Sequence, residues 1–392
     1  MGYLLIAVLC GAVLGNAFFK MGFGSINVLS LFILAAVVTY LAVFLVSRSG
    51  RIKYQPSRPF DKYLWAFFGV GVVSVVFSYL GVYSTLFPTS ALLRDESYIP
   101  RQAYYLFFIP MIILAGRNAS TKGILDWVAR NRTLLFFCVW VLYVAFNQQL
   151  ALNVQCCFAL GFLLLMNRRE RKAVDILMLA VLLFSPIAVG GEMTQVIIRV
   201  VGFGTYLIGF RSNALKCALI AALFVVLGCY VLPFLPLESF GFDANTFWRA
   251  EYWGNELVQL WETFGFGVGY GTSYASVDFV GAALTGPFAA TAEYSAAEKL
   301  FVVGCHNSFV SLFFRLGFAG IAALLAYLVS LSNHTNDFRG GYASSAAFAL
   351  ISSLAIVCFN VGFENPSYYF LFGFSLALAS SQVDNAREER CG

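Results

Sequence analysis

The sequence predicts an all-α polytopic membrane protein with about 12 membrane-spanning helices. The first observation is composition, because 60% of the 392 residues are apolar and only 11% are charged. Soluble domains are about half apolar and about a quarter charged. The second observation is a mean hydropathy of +0.79. The third is the distribution of basic residues, which alternates from loop to loop along the chain.

The apolar residues are collected into runs that are each long enough to form a spanning helix or most of one. In chain order the predicted spans are 2–19, 26–46, 63–83, 98–116, 133–147, 150–166, 173–190, 194–210, 214–235, 306–330, 343–361 and 367–382. The first run has no basic segment before it and no small-residue cleavage site, so we interpret it as a spanning helix and not as a signal peptide.

Basic residues fix the expected orientation of these helices. With the N-terminus in the cytoplasm, most of the 25 Lys and Arg residues fall in inner loops, as the positive-inside rule requires. The outer side receives only Lys20, Arg94, Arg101, Arg249 and Lys299. Both termini are then cytoplasmic. The chain divides into spans 1–9 (1–235), one large extracytoplasmic loop between spans 9 and 10 (236–305), and spans 10–12 with a short tail (306–392).

Several classes of partner are not expected. Most of the nine Cys residues lie inside apolar runs, where a thiol acts as a small hydrophobic group. Their spacing matches neither a disulfide framework nor a metal site, so no metal or cofactor is predicted. The basic residues that give the net charge of +5 follow the predicted membrane topology, so they do not imply a nucleic-acid partner.

The large outer loop contains a predicted amphipathic helix over about 245–263, capped by Asn245 or Thr246. Its aromatic residues and polar flanks favour a position in the membrane interface. Three of its side chains are candidates for substrate contact: Arg249, Trp253 and Glu256. The alternative for Arg249 is that it only reaches a lipid phosphate.

A glycine-rich segment follows at 264–271, where four glycines alternate with bulky apolar residues. It is not a dinucleotide-binding fingerprint, because no buried strand precedes it. One interpretation is a flexible turn. The other is an anion site, since glycines such as Gly267 and Gly269 let backbone N–H groups approach a ligand closely.

Further candidates lie at the predicted outer ends of spans. His306 and Asn307 open the tenth span, Glu192 and Arg199 lie at the outer end of the eighth, and Glu364 precedes the last. A charge inside a span usually has a partner or a task. A lone interfacial His is more often an ordinary polar residue than a catalyst. Arg315 is half a turn out of phase with His306, which indicates packing or a reach toward the cytoplasm.

Taken together, these residues resemble the C-terminal signature of the O-antigen polymerase and O-antigen ligase superfamily. The resemblance covers about 249–373 and rests on Arg249-Ala-Glu-Tyr-Trp253, the glycine-rich segment, His306-Asn307-Ser-Phe, Leu316-Gly317-Phe-Ala-Gly320 and the Glu364-Asn365-Pro366 run. Thr263-Phe264 stands where the family has a proline. Arg199 is the nearest counterpart of a further family arginine.

The resemblance implies a GT-C-like fold and metal-free, inverting glycosyl transfer from an undecaprenyl-diphosphate-linked glycan in the bacterial inner membrane. Arg249 would stabilise the departing diphosphate, with Arg199 second, and His306 would orient or deprotonate the acceptor hydroxyl. Substrate contacts would come from Glu192, Trp253, Glu256, Gly267, Gly269, Asn307 and Glu364. Two of these, Glu256 and Glu364, are also alternatives to His306 as the base.

Three functions remain open from the sequence. The first is a polymerase that moves a growing glycan onto a lipid-linked repeat unit, with a flippase and a chain-length regulator as partners. The second is a ligase that moves the same donor onto lipid A-core or a protein. The third is a polysaccharide flippase or transporter, which is disfavoured because the candidate residues gather at the outer face and not at the midplane.

Overall fold

The computed structural model describes part of the chain, and its described part is mostly helical. The described residues are 22–23, 26–27, 60–88, 92–118, 121–146, 159–161, 163, 173–189, 227–228, 231, 235, 244–276, 301, 306–333, 343–359, 363 and 366–391.

Ten α-helices, one short 3-10 helix (Glu96–Tyr98) and four short strands make up the described elements. The strands are β1 Gly22–Phe23, β2 Ile26–Asn27, β3 Leu92–Arg94 and β4 Thr272–Ser276. The helices are α1 Asp61–Tyr79, α2 Val82–Leu86, α3 Ile99–Asn118, α4 Thr121–Arg130, α5 Arg132–Phe146, α6 Ala173–Val189, α7 Ala244–Glu262, α8 Ser308–Asn333, α9 Ala343–Phe359 and α10 Pro366–Cys391.

Helices occupy seven of the predicted spans, with shifted ends. The span predicted at 63–83 ends earlier, because α1 stops at Tyr79 and Gly81 takes a left-handed φ of 65° before α2. The last span was predicted at 367–382, but α10 continues to Cys391. No helix begins at Ile26, because that residue pairs with Phe23 in a hairpin.

Two described helices, α1 and α8, are long and apolar enough to cross a membrane. Shorter apolar stretches lie in α6, α9 and α10. These two helices support membrane association. The twelve-span count, the GT-C-like arrangement, the orientation and the location remain predictions, as do the three divisions of the chain.

The core joins elements that are far apart in the sequence. Helix α3 packs against α1 and α10, and α8 packs against α1 and α9. Fully buried side chains include Phe67 on α1, Leu106 on α3, Leu324 on α8 and Phe370 on α10. This apolar packing fixes the position of the N-terminal end of α8, where the candidate site is built.

Candidate functional site

Helix α7 carries three of the predicted site residues. It begins at Ala244, so Asn245 and Thr246 lie inside its first turn. The prediction that one of these two residues caps the helix is therefore wrong. Glu256 is only 1% exposed, whereas Arg249 and Trp253 are partly buried. Because α7 packs against both α8 and β4, this buried face is directed toward the rest of the protein.

His306 lies immediately before α8 and not within it. Its φ is 57°, a left-handed conformation that is uncommon for a residue with a Cβ. The helix starts at Ser308, and Asn307 caps it: the Asn307 Oδ1 atom accepts hydrogen bonds from the N–H groups of Phe309 and Val310, both at 3.1 Å. Capping gives Asn307 a structural role, and its predicted substrate contact stays a prediction.

Arg249 and His306, which are distant in the sequence, interact electrostatically. Burial, and then the positive charge of Arg249, lower the pKa of His306 from 6.5 to about 4. The imidazole is therefore neutral at physiological pH. A neutral imidazole within electrostatic range of a guanidinium offers a proton acceptor and a cation in the same region, and the roles that the resemblance implied for these two residues stay predictions.

The glycine-rich segment packs into a break in α8. Gly317 has φ 62° and ψ −160°, which interrupts the helix. The interruption removes hydrogen bonds within the helix, and the glycine segment replaces them. Val268 N–H donates to the Phe314 carbonyl at 2.9 Å, Gly269 N–H donates to the Arg315 carbonyl at 3.2 Å, and Phe318 N–H donates to the Gly265 carbonyl at 3.0 Å.

Glycine is required at this contact because two backbones touch. A Cβ on Gly267 would lie 2.7 Å from the Arg315 carbonyl oxygen, and a Cβ on Gly317 would collide with the Gly265 carbonyl oxygen. Both residues also have positive φ, 84° and 62° respectively. The sequence predicted one unbroken span at 306–330, and this contact explains why α8 is interrupted instead.

The N–H groups of the glycine segment are largely used within the protein. Besides Val268 and Gly269, Tyr270 N–H donates to Ser78 Oγ at 2.8 Å and Gly271 N–H donates to Gln102 Oε1 at 2.8 Å. The segment is therefore neither a free turn nor a row of N–H groups directed at an anion. A substrate contact by Gly267 or Gly269 stays a prediction.

Arg315 is packed inside the protein against the glycine segment. It is 2% exposed, its Nη1 donates to the Gly269 carbonyl at 3.1 Å, and its guanidinium carbon lies 4.0 Å from the centre of the Tyr274 ring. It therefore fixes the glycine segment near the N-terminal end of α8, which is the packing role among the two alternatives that the sequence left open, and not a reach toward the cytoplasm. Counting helical phase from His306 failed because His306 precedes the helix.

A second segment, which contains none of the predicted site residues, also joins the site. Strand β3 pairs antiparallel with β4, which follows the glycine segment, and Arg94 is opposite Thr272. Burial lowers the pKa of Arg94, and the nearby positive charge of Arg315 lowers it further. Leu92-Leu93-Arg94 contains no β-branched or aromatic residue, so there is no local signal in the sequence for this strand or for its pairing partner.

Three predicted site residues, Glu192, Arg199 and Glu364, lie outside the described residues. Phe363, which precedes Glu364, donates its N–H to Ser308 Oγ at 3.2 Å. Phe363, which lies between α9 and α10, therefore contacts the first residue of α8, next to His306 and Asn307.

In comparisons with known proteins, the chain matches no family model and no curated protein.

Proposed function

We propose that this protein is a membrane glycosyltransferase that elongates a glycan carried on a polyprenyl diphosphate. The observation that carries the proposal is the electrostatic interaction of Arg249 with a neutral, partly buried His306. The proposal also rests on the sequence resemblance to O-antigen polymerases and ligases.

In the proposed reaction, the acceptor hydroxyl oxygen attacks the anomeric carbon of the donor sugar. A carbon–oxygen bond forms on one face while the bond to the diphosphate oxygen breaks on the other, so the anomeric configuration inverts. His306 accepts the hydroxyl proton, and the polyprenyl diphosphate leaves with the bonding electron pair. Arg249 stabilises the charge on the departing diphosphate through hydrogen bonds from its guanidinium.

Arg249 also connects donor binding to proton acceptance. An imidazole with a pKa of about 4 is a weak base for a hydroxyl group. The positive charge of Arg249 is one cause of that low pKa, and a bound diphosphate offsets this charge. The pKa of His306 then rises toward the range in which an imidazole is an effective base, and it does so only when the donor is in place.

The surroundings of the site suit a lipid-linked substrate. Trp261, Phe264, Phe266 and Phe318 are between 64% and 84% exposed, and they lie in α7, the glycine segment and α8. Exposed aromatic side chains of this kind are typical of the membrane–water interface. A donor whose lipid stays in the bilayer would present its diphosphate at this depth.

The experiment uses the purified full-length chain in proteoliposomes with a synthetic polyprenyl-diphosphate-linked repeat unit supplied on the outer side. We expect a ladder of glycans of increasing length, because no flipping step is needed. Arg249→Ala should give no ladder while inserting normally, and Arg130→Ala, which changes an exposed arginine on α4, should give the native ladder.

Other outcomes would replace the proposal. Transfer only when lipid A-core or a protein acceptor is added would identify a ligase. Movement of the lipid-linked unit across the bilayer without any new glycosidic bond would identify a transporter. A native ladder from Arg249→Ala would remove this residue from the donor site.

A further inference from the structure

A groove with a volume of about 740 Å³ lies between α1, α2, the glycine segment and the break in α8. Its size is within the usual range for a small-molecule site. Its walls are mainly apolar and include Val73 and Phe77 of α1, Leu86 of α2, Phe266, and the two α8 residues Leu316 and Ala319.

The groove opens on an apolar face of the protein. Val73 is 50% exposed, Leu86 is 62% exposed and Phe266 is 70% exposed. In a chain with the composition of an integral membrane protein, such a face is expected to contact lipid chains and not water. The groove is therefore accessible to a molecule that is already in the bilayer.

Two arginines lie close to one wall of this groove. That wall includes Tyr83, and a Cβ on Gly269 would collide with the Tyr83 ring, so Gly269 lies directly behind it. Arg315 donates to the carbonyl of the same glycine. Arg94, on the neighbouring strand β3, is within electrostatic range of both Tyr83 and Arg315.

These two cations lack acidic partners in the part of the chain that the structure describes. Neither Arg94 nor Arg315 forms an ion pair with a described carboxylate. Two further guanidinium atoms of Arg315, Nε and Nη2, are buried without a described hydrogen-bond partner. The positive charges of Arg94 and Arg315 are therefore not neutralised by an ion pair among the described residues, and such charges attract an anion.

We propose that the groove holds one acyl chain of an anionic phospholipid from the surrounding bilayer, with the lipid phosphate at Arg94. Basic residues beside apolar clefts between helices bind anionic headgroups in this way. The acyl chain would contact Phe266 of the glycine segment and Leu316 of α8, which lie on opposite sides of the contact between these two elements. Lipid binding would therefore stabilise that contact, and the inference does not depend on glycosyl transfer.

The test is native mass spectrometry of the full chain in detergent, with phosphatidylglycerol and phosphatidylcholine that have the same acyl chains. We expect tighter binding of phosphatidylglycerol. Arg94→Gln should weaken its binding about five-fold, as expected for one basic residue at an anionic headgroup, and leave phosphatidylcholine unchanged. Gly69→Phe should prevent binding of both lipids, because Gly69 lines the groove and its Cβ would point into open space.

Two matched variants serve as controls. Arg130→Gln removes an exposed arginine, and Gly228→Phe adds a ring at another glycine whose Cβ would meet nothing within 4 Å. Both should bind lipid like the native chain. Equal binding of the two lipids, or an equal loss in Arg130→Gln, would overturn the proposal. Displacement by farnesyl diphosphate at a lower concentration than phosphatidylglycerol itself would show that a prenyl diphosphate is the occupant instead.

Discussion

The positive charge of Arg249 contributes to the low pKa of His306, so a substitution at Arg249 should change that pKa by a measurable amount. Arg249→Gln removes the positive charge that helps to hold the His306 pKa at about 4. We expect the pKa to rise toward 6.5 but to stay below it, because burial is the larger cause. The measurement is an NMR titration in a His334→Gln background, where His306 is the only histidine.

The control for this titration is Arg130→Gln in the same background, which should leave the His306 pKa near 4. An Arg249→Gln protein with an unchanged His306 pKa would mean that the two side chains are not neighbours. The proposed site would then lose the observation on which it rests.

Arg315 is expected to contribute to stability through the glycine segment. Arg315→Met keeps much of the side-chain volume but removes the hydrogen bond to the Gly269 carbonyl and the contact with the Tyr274 ring. A hydrogen bond from a charged group contributes about 1.5–3 kcal/mol, so we expect a loss of about 2 kcal/mol in the free energy of unfolding. Thermal unfolding in detergent should show a lowered Tm, and an unchanged Tm would contradict the assignment.

The contact between the glycine segment and α8 requires glycine at positions 267 and 317, because a side chain at either position would meet backbone atoms of the other element. Gly267→Ala and Gly317→Ala each place a methyl group against backbone atoms and each require a positive φ. We expect both to lower the Tm and to reduce glycan transfer. Gly69→Ala is the matched control, because its Cβ is unobstructed and a glycine in a helix costs about 1 kcal/mol relative to alanine.

If Gly267→Ala and Gly317→Ala retain the native Tm, the glycine segment does not pack into the break in α8. A lowered Tm with native transfer rates would instead show that this contact supports the fold without positioning Arg249 or His306.

For the whole molecule, two contacts join segments that were predicted to lie on the same side of the membrane. Strands β3 and β4 come from segments that were both placed outside, and they pair. Arg132 and Asp175 begin two helices that were both predicted to start inside, and they form an ion pair of 2.7 Å. Because paired residues lie on the same side of a membrane, neither contact conflicts with the topology.

Topology can be measured by labelling single cysteines in a chain whose nine native Cys residues are replaced. Ser97→Cys and Glu262→Cys, at exposed positions, should react with a membrane-impermeant reagent added outside the cell. Arg130→Cys, also exposed, should react only after the membrane is permeabilised. The reverse pattern would place the candidate site in the cytoplasm and exclude an extracytoplasmic lipid-linked donor.

The sequence predicts helices well and the site only in part. Apolar runs located α1, α3, α5, α6, α8, α9 and α10, because burial in a core or in lipid needs apolar residues over a helix length. The glycine segment, by contrast, is held by Ser78, Gln102 and the α8 break, and no local pattern reports such distant partners. The position of Arg315 could not be derived from its helical phase relative to His306, because His306 lies before the first residue of the helix.

The most direct test of the Arg249–His306 site is single-turnover glycan transfer measured together with donor binding. His306→Gln keeps a polar side chain but cannot accept the proton, so we predict native donor affinity and a transfer rate at least about 10²-fold lower. Arg249→Gln should lower both donor affinity and transfer rate. A His306→Gln protein that transfers glycan at a near-native rate would contradict His306 as the proton acceptor.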